Sequence, residues 1–520
     1  MRLSVRAKVR EFVHGKSCPG ARHTATELNA KNAYHSIMRA RHIPAALLFA
    51  LSTLPAAPAP SLPELGEASQ SALTPLQERQ LGLSIMKEVR RDPGFYDDAE
   101  VTDYITRVGN RLASRGGDTR QAFEFFLIRD PQINAFALPG GHIGLHTGLI
   151  VAAQSESEMA GVMAHEIAHV TQRHIARMIS TQQSNQWISL AAMAVAILAA
   201  RSNSQLAEAA AAAGPALAIQ QQLNFSRDFE READRVGLQM LEKSGFDPNG
   251  MSLFFERLQR ATRLYEGGAP SFLRTHPLTY ERLSDMQGRS ANLPYRQVAD
   301  PIEFHLMRAK LKAELEPPRE SIAYFRELLA EKRHLSEAGA RYGLTAALLR
   351  FSDVGGARKE FVALKALLKQ HPTVDLLGCR IKLAGGEADA LICLRDALQA
   401  HPGHRALAYA FAEALLQHRN PHEALKVVEP RLATNVGDYR LYQFQSRAYA
   451  MLDRRLAHHR AQAEAYVHLG SLTAAVEQLQ LGLKASDGDY YQLSAAEARM
   501  RELRRQDAEE RKDGRRKEKP

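Results

Sequence analysis

The chain has 520 residues, more than one ordinary domain holds, and its 45% hydrophobic content is enough to build real cores, which excludes wholesale disorder. Its formal net charge of +10 is not the mark of a nucleic-acid binder: seven of those charges fall in residues 1–57 and four in residues 499–520, so the body between is within one charge of neutral. No nucleic acid is expected as a partner.

From Met38 a short basic region (Arg39, Arg41) runs into an apolar stretch from Ile43 to Leu54 and then the small residues Ala56, Ala57 and Ala59. That is the pattern of a cleavable export signal over 38–59, with an apolar part too short for a membrane anchor. Residues 1–37 are polar and patternless, either a disordered leader or a stretch upstream of a true start at Met38. Residues 60–72 read as a linker. With Cys18 in the leader, Cys379 and Cys393 are left, and export leaves two readings open: a disulfide, or two buried thiols.

An amphipathic helical stretch is expected over 74–114, with Thr74 as cap and Pro75 in the first helical position. Residues 122–129 read as a strand, and 133–146 as a second one broken by Pro139-Gly140-Gly141. A helix follows over 155–178, capped by Ser155 or Ser157. The apolar segments 187–200 and 206–219 suggest a helical hairpin, read first as core and otherwise as a flap or a peripheral membrane contact. Further helices are expected over 225–243 and 248–263. The fold class is therefore α+β and mostly helical: a domain with a small sheet over 73–300, then an all-α repeat domain over 301–498 and a charged tail over 499–520.

The repeat is carried by Ala323, Ala357, Ala390 and Ala424, spaced 34, 33 and 34 residues apart and each preceded by a turn. A small residue at a helix contact with this period is the signature of tetratricopeptide repeats, which stack into a concave surface for peptides or partner proteins. The period slips after Ala424 and resumes at Ala474. Cys379 and Cys393 fall on the two helices of one repeat.

The strongest chemical signal is His165-Glu166-Ile167-Ala168-His169 on the 155–178 helix. Histidines four apart share a helical face and can converge on one Zn2+, with Glu166 placed to act as general base on a water. The surrounding residues are uncharged, so these groups would be buried, where they need a reason. A third ligand comes from the helix Phe225–Asp234. Glu230 and Asp234 lie on one face while Glu232 points about 200° away from Glu230. This selects Glu230 as ligand and Asp234 as the carboxylate behind it, holding the far nitrogen of one ligand histidine, His165 before His169; the other reading of this segment is a surface helix with ion pairs. His142, His146 and His174 are read as ordinary histidines, since the set is complete without them.

His165-Glu166-x-x-His169 followed by Glu230-x-x-x-Asp234 resembles the gluzincin peptidases. Ser226-Arg227-x-x-Glu230-x-x-Ala233-Asp234-x-x-Gly237 narrows the resemblance to the family of HtpX and the CAAX-processing zinc peptidases. Asn134–His142 and Thr275-His276-Pro277 are similar to its exported, periplasmic, repeat-bearing members. The resemblance implies one Zn2+ per chain on His165, His169 and Glu230, with Glu166 as catalytic base. It also implies an edge strand at 133–146, where Asn134, Ala135, Phe136 and Ala137 bind substrate as an added strand. It places His276 near the metal, either stabilising the oxyanion or filling the fourth position in a resting state; alone, the residue reads as a histidine capping a turn. Arg282 also matches the pattern. The implied activity is a periplasmic metalloendopeptidase acting on misfolded or stalled outer-membrane proteins, its repeats recruiting unfolded or misassembled substrates or docking on outer-membrane assembly machinery. The rival reading is a repeat-based chaperone or assembly factor with a minor peptidase activity.

Overall fold

The computed structural model of the protein describes residues 73–116, 121–181, 227–262, 271–294, 298–485 and 487–517. The leader, the export signal, the linker and the apolar pair within 187–219 lie outside these residues. Helix α1 (Pro75–Arg91) begins as its sequence predicts, with Thr74 and Gln77 in a reciprocal cap and Pro75 in the first position. The stretch expected as one helix to residue 114 is two. Asp92, preceding Pro93, is extended, and its Oδ1 accepts a hydrogen bond from the Gly94 N–H at 2.6 Å. Asp98 then caps α2 (Ala99–Ala113).

Three strands form a sheet in the order β1-β3-β2, where β1 is Glu124–Ile128, β2 Ala135–Leu138 and β3 His142–His146. β1 pairs parallel to β3 and β2 antiparallel to it, with Phe136 opposite Gly144. The segment expected as one broken edge strand is thus a hairpin. Gly140 (φ 81°) and Gly141 (φ 88°) reverse the chain, which puts β3 in the middle of the sheet, so that of the two strands of this segment β2 is the one at an edge.

A short helix α3 (Thr147–Ala152) leads to α4 (Glu156–Thr171), capped by Ser155 as expected and buried from Glu156 to Val170. The expected helix to 178 breaks after Thr171. Arg173 takes a left-handed conformation (φ 52°), and its guanidinium donates to the Leu73 carbonyl at 2.6 Å, so α5 (His174–Thr181) starts in a new direction. Around α4 pack α2, β2, α6 (Arg227–Lys243) and α7 (Asn249–Thr262). Then come α8 (Ser271–Thr275), α9 (Tyr280–Ala291) and α10 (Ile302–Leu315).

Beyond residue 317 the chain is a run of helices, each packed on the next: α11 (Pro318–Ala330), α12 (Glu337–Arg350), α13 (Val354–Leu367), α14 (Pro372–Ala384), α15 (Ala390–Ala400), α16 (Arg405–Gln417), α17 (Pro421–Thr434), α18 (Tyr439–Met451), α19 (Arg455–His468), α20 (Leu472–Leu483) and α21 (Tyr490–Lys517). Ala357, Ala390 and Ala424 are buried at helix contacts, but Ala323 is exposed, and Ala474 is half-buried beside the fully buried Ala475. One residue is 100° of helix, so a spacing accurate to one position can still choose the wrong face. Nor does the period lapse after Ala424. Its next position, 458, is a histidine on α19 whose Nδ1 lies 2.9 Å from Ser446 Oγ of α18. Cys379 on α14 and Cys393 on α15 are joined by a disulfide, with Cα atoms 5.6 Å apart.

No break in packing marks residue 300. One apolar core runs from Tyr96 through α4 and α10 to Ile381 on α14. Lys310, 1% exposed, reaches across to Asp98 at 2.7 Å and Glu100 at 2.6 Å. Arg405 pairs with Asp103 at 2.7 Å, Arg440 with Asp97 at 2.9 Å, and Arg91 donates to the Gly470 carbonyl at 3.2 Å, so the helical run stays docked along α1 and α2. The charged tail expected from 499 is the continuation of α21: Leu503 is fully buried and Arg499 grips Glu464 with two bonds of 2.9 Å. Among the described residues no helix is long and apolar enough to cross a membrane.

Candidate metal centre and active site

Helix α4 brings His165 and His169 to one side through their four-residue spacing, and α6 crosses it closely because Gly237 sits against the backbone of Ala164 and His165. A Cβ at 237 would lie 3.1 Å from those backbone atoms. This approach delivers Glu230. The Nε2 atoms of His165 and His169 lie 3.1 Å apart, and each is 3.4 Å from a Glu230 oxygen. His276, which follows α8, completes the group with Nδ1 3.0 Å from Glu230 Oε1. The candidate ligand atoms of His165, His169, Glu230 and His276 all lie within 4.8 Å of one another, and all four residues are buried.

Glu166 faces the same space. Its two oxygens are buried with no side chain hydrogen-bonded to them; its polar neighbours include His276 Nε2 at 3.5 Å and the backbone N–H of Ala137. Behind the cluster, Asp234 Oδ1 lies 3.0 Å from His165 Nδ1. Arg282 on α9 binds Asp234 with two hydrogen bonds, of 2.7 and 2.8 Å, and Glu230 at 2.8 Å.

The edge strand runs along this site. The Asn134 carbonyl accepts from the His146 N–H at 3.0 Å, so by antiparallel alternation Ala135 and Ala137 turn their backbone groups away from β3. Their methyl groups face the core, while Phe136 packs edge-on to Phe126 on the other side. The Asn134 side chain turns back to His146, at 3.4 Å. What this strand can offer a ligand is therefore main chain.

The model of peptidase family M48 matches residues 99–290. The beta-barrel assembly-enhancing protease of Escherichia coli (strain K12) is 32% identical over 452 residues, 86% of this chain and 92% of that protein. The chain belongs to peptidase family M48. A beta-barrel assembly-enhancing protease of Vibrio cholerae is 42% identical over 252 residues, which are 48% of this chain and about half (52%) of that relative's length. The mitochondrial metalloendopeptidase OMA1 of Schizosaccharomyces pombe is 33% identical over 216 residues, 40% of this chain and 60% of its own. As an M48 member the chain is a metalloprotease, and the match to the Escherichia coli relative continues beyond the family's 99–290 into the helical run.

The residues fit the divalent metal that an M48 peptidase needs. Glu166, Glu230 and Asp234 put three buried carboxylates beside the imidazoles of His165, His169 and His276, a set of oxygen and nitrogen donors that suits a divalent cation. The unpartnered Glu166 oxygens are costly unless water or a cation joins them. Burial pushes the Glu166 pKa up, and the negative Glu230 adds to this against the pull of the nearby histidines. Burial opposes charge on His165 as well, but its bonds to Asp234 and Glu230 overcome that and hold its pKa at about 10. His169 goes the other way, lowered by burial. Glu230 and Asp234 resist the upward push of burial and are held low, Glu230 chiefly by His276 and His165, Asp234 by Arg282 and His165.

One neighbour of the site was missed in the sequence. His174 Nδ1 lies 2.9 Å from His169 Nδ1, and its Nε2 lies 3.2 Å from Glu232, which Arg177 holds at 2.7 Å. Had the helix continued unbroken, a residue five positions on would point about 140° away from His169. The turn at Arg173 brings it back, and neither glycine nor proline marks that turn. His142 and His146 stay apart from the cluster, beside Glu124 at 2.9 Å and Asp130 at 3.8 Å respectively.

Proposed function

We propose that this M48 peptidase is a zinc endopeptidase that cleaves misfolded or stalled protein segments, held as an added strand along β2. Two imidazoles and a carboxylate are a zinc set, and His165, His169 and Glu230 would hold one ion per chain. A zinc ion supplies Lewis acidity at the scissile carbonyl and lowers the pKa of a water. Glu166 takes that water's proton, and its raised pKa suits it to hand the proton on to the leaving amine. Asp234, anchored by Arg282, fixes the His165 ring so that Nε2 faces the ion. His276 stands between Glu166 and Glu230, placed either to donate to the developing oxyanion or to join His165, His169 and Glu230 as a residue that would hold the ion in a resting state.

The observation that carries the reading is the backbone N–H of Ala137, on the edge strand β2, directed at Glu166. A peptide paired with β2 at Ala137, which unlike Ala135 is not fully buried, would lie with its backbone against the catalytic base, which gives binding with little side-chain preference. Unfolded chains meet that requirement and folded ones do not. The export signal expected over 38–59 and the disulfide support action in the periplasm, and the name of the Escherichia coli relative, a beta-barrel assembly-enhancing protease, supports outer-membrane proteins as substrates, with the helical run docking them or assembly machinery.

The test is metal content and casein cleavage of the mature chain beside Glu166→Gln and His276→Ala. One zinc per chain in all three, with cleavage lost in Glu166→Gln, is the expected result. Higher activity in His276→Ala assigns that residue to self-inhibition, lower activity to the oxyanion. A chain without metal, purified free of chelator, overturns the zinc reading. If Glu166→Gln keeps every cellular function, the repeat-based chaperone is the better description.

A further inference from the structure

His174, Glu232 and Arg177 play no part in the mechanism above, yet they form an ordered chain that ends on a proposed ligand. Nε2 of His169 faces the cluster, 3.1 Å from His165 Nε2 and 3.4 Å from Glu230 Oε1. Its far nitrogen, Nδ1, faces His174 Nδ1 at 2.9 Å. Two imidazole nitrogens that close must be joined by one proton, one ring donating and the other accepting.

We infer that His174 is a positioning residue for the metal centre: it accepts the Nδ1 proton of His169 and so fixes that ring with Nε2 toward the ion. The inference rests on the reading of His165, His169 and Glu230 as ligands. A ligand nitrogen carries no proton, so the proton of His169 sits on Nδ1 and His174 Nδ1 must accept it. The proton of His174 then sits on Nε2, 3.2 Å from Glu232 Oε2, and Arg177 completes the line at 2.7 Å. The His174 ring is itself held flat against Phe229, centroids 4.6 Å apart and planes 9° apart. On the opposite side of the centre, His165 has the same kind of support from Asp234 and Arg282. Both imidazoles are thus backed by a hydrogen-bonded line ending in an Arg–carboxylate pair, but the second passes through a histidine that only a break in the helix can bring into place.

The experiment compares zinc affinity, by competition with a chromophoric chelator, in the mature chain and in His174→Phe and His174→Asn. Phenylalanine keeps a flat ring on Phe229 and removes the acceptor; asparagine keeps an acceptor. His174→Phe should bind zinc about 10–100-fold more weakly, the usual cost of losing such a partner, and His174→Asn should recover most of that. Thermal unfolding of the zinc-free proteins should differ little between the two variants. Wild-type affinity in His174→Phe overturns the inference, and so does equal weakening in both variants, which would mark a packing role. If His174→Phe does not fold, Glu232→Ala, at a partly exposed position, carries the test: several-fold weaker zinc binding supports the line and unchanged binding overturns it. Failure of the wild-type chain to bind zinc would instead overturn the ligand reading on which this rests.

Discussion

Asp234 and Arg282 face each other through two hydrogen bonds, of 2.7 and 2.8 Å, with both side chains about 2% exposed. The same guanidinium reaches Glu230, so one cation steadies both the carboxylate proposed to bind zinc and the one that orients His165. Burial opposes the charge of Arg282, and the two carboxylates more than restore it.

Replacing Arg282 by methionine keeps much of the volume and takes from two buried carboxylates the guanidinium they share. Breaking a buried pair in this way costs about 3–5 kcal/mol. The loss should be largest in zinc-free protein, because a divalent ion offsets part of the exposed negative charge. Urea unfolding with and without chelator checks this: Arg282→Met should widen the gap between the two curves. An unchanged gap would mean that the guanidinium does not balance the metal site.

A second prediction concerns pH. Burial pushes the Glu124 pKa up, but hydrogen bonding to His142 and the charge of Arg90 outweigh it and bring the carboxyl down to about 2. A carboxylate whose folded pKa is depressed stabilises the fold above its unfolded pKa, about 4.3, and loses that contribution as pH falls toward about 2. Glu124→Gln should therefore be less stable than wild type at pH 7, with the difference closing as pH drops from about 4.3 toward about 2. Glu124 is partly exposed, so added salt should shrink the difference at pH 7 as well. Unfolding curves at a series of pH values decide it; a difference that stays constant with pH would show that charge on Glu124 is not its source.

How much of this could be read in the sequence follows from the range of the signal. His165, Glu166 and His169 are set by one helical turn, and the choice of Glu230 over Glu232 needs only the phase of one helix; Glu230 lies 3.4 Å from the Nε2 atoms of His165 and His169, and Glu232 lies beside His174. His174 could not be placed, because its position depends on a left-handed Arg173 held by the distant Leu73 carbonyl. Ala323 shows a different failure, since its period is right and its face is wrong. The junction at 300 was expected from a change in character along the chain. Core residues from Tyr96 to Ile381 pack together regardless, because packing is decided by apolar faces far apart in sequence.

That shared core leads to a third prediction. Lys310 on α10 is buried between Asp98 and Glu100 at the start of α2, and their charges raise its pKa well above the usual lysine range against the effect of burial. Lys310→Met strands the buried Glu100 and should cost about 3–5 kcal/mol. Because the core crosses residue 300, the catalytic region and the first repeats should unfold in one transition that moves as a whole. Adding Glu100→Gln should return part of the loss, since the two substitutions act on one pair. Two separate transitions in calorimetry, with only one displaced by Lys310→Met, would refute this coupling.

The disulfide supplies the fourth prediction, and it tests compartment and structure together. Cys379 on α14 and Cys393 on α15 stand 14 residues apart in sequence, and both lie in the apolar cluster that extends toward α18. Closing a loop of that size restricts the unfolded chain by about 3 kcal/mol on the chain-entropy account. Chain isolated from an oxidising compartment should show no reactive thiol until it is unfolded in reductant, then two per mature chain. Reduction should lower its stability to that of a Cys379→Ala, Cys393→Ala double variant, by about 2–4 kcal/mol. The bridge pins neighbouring helices of the run and touches none of His165, His169 or Glu230, so zinc affinity should be unchanged by reduction. A fall in zinc affinity that follows loss of the bridge would show instead that order in the helical run is transmitted to the metal centre, and the continuous packing through α10 would be the route to examine.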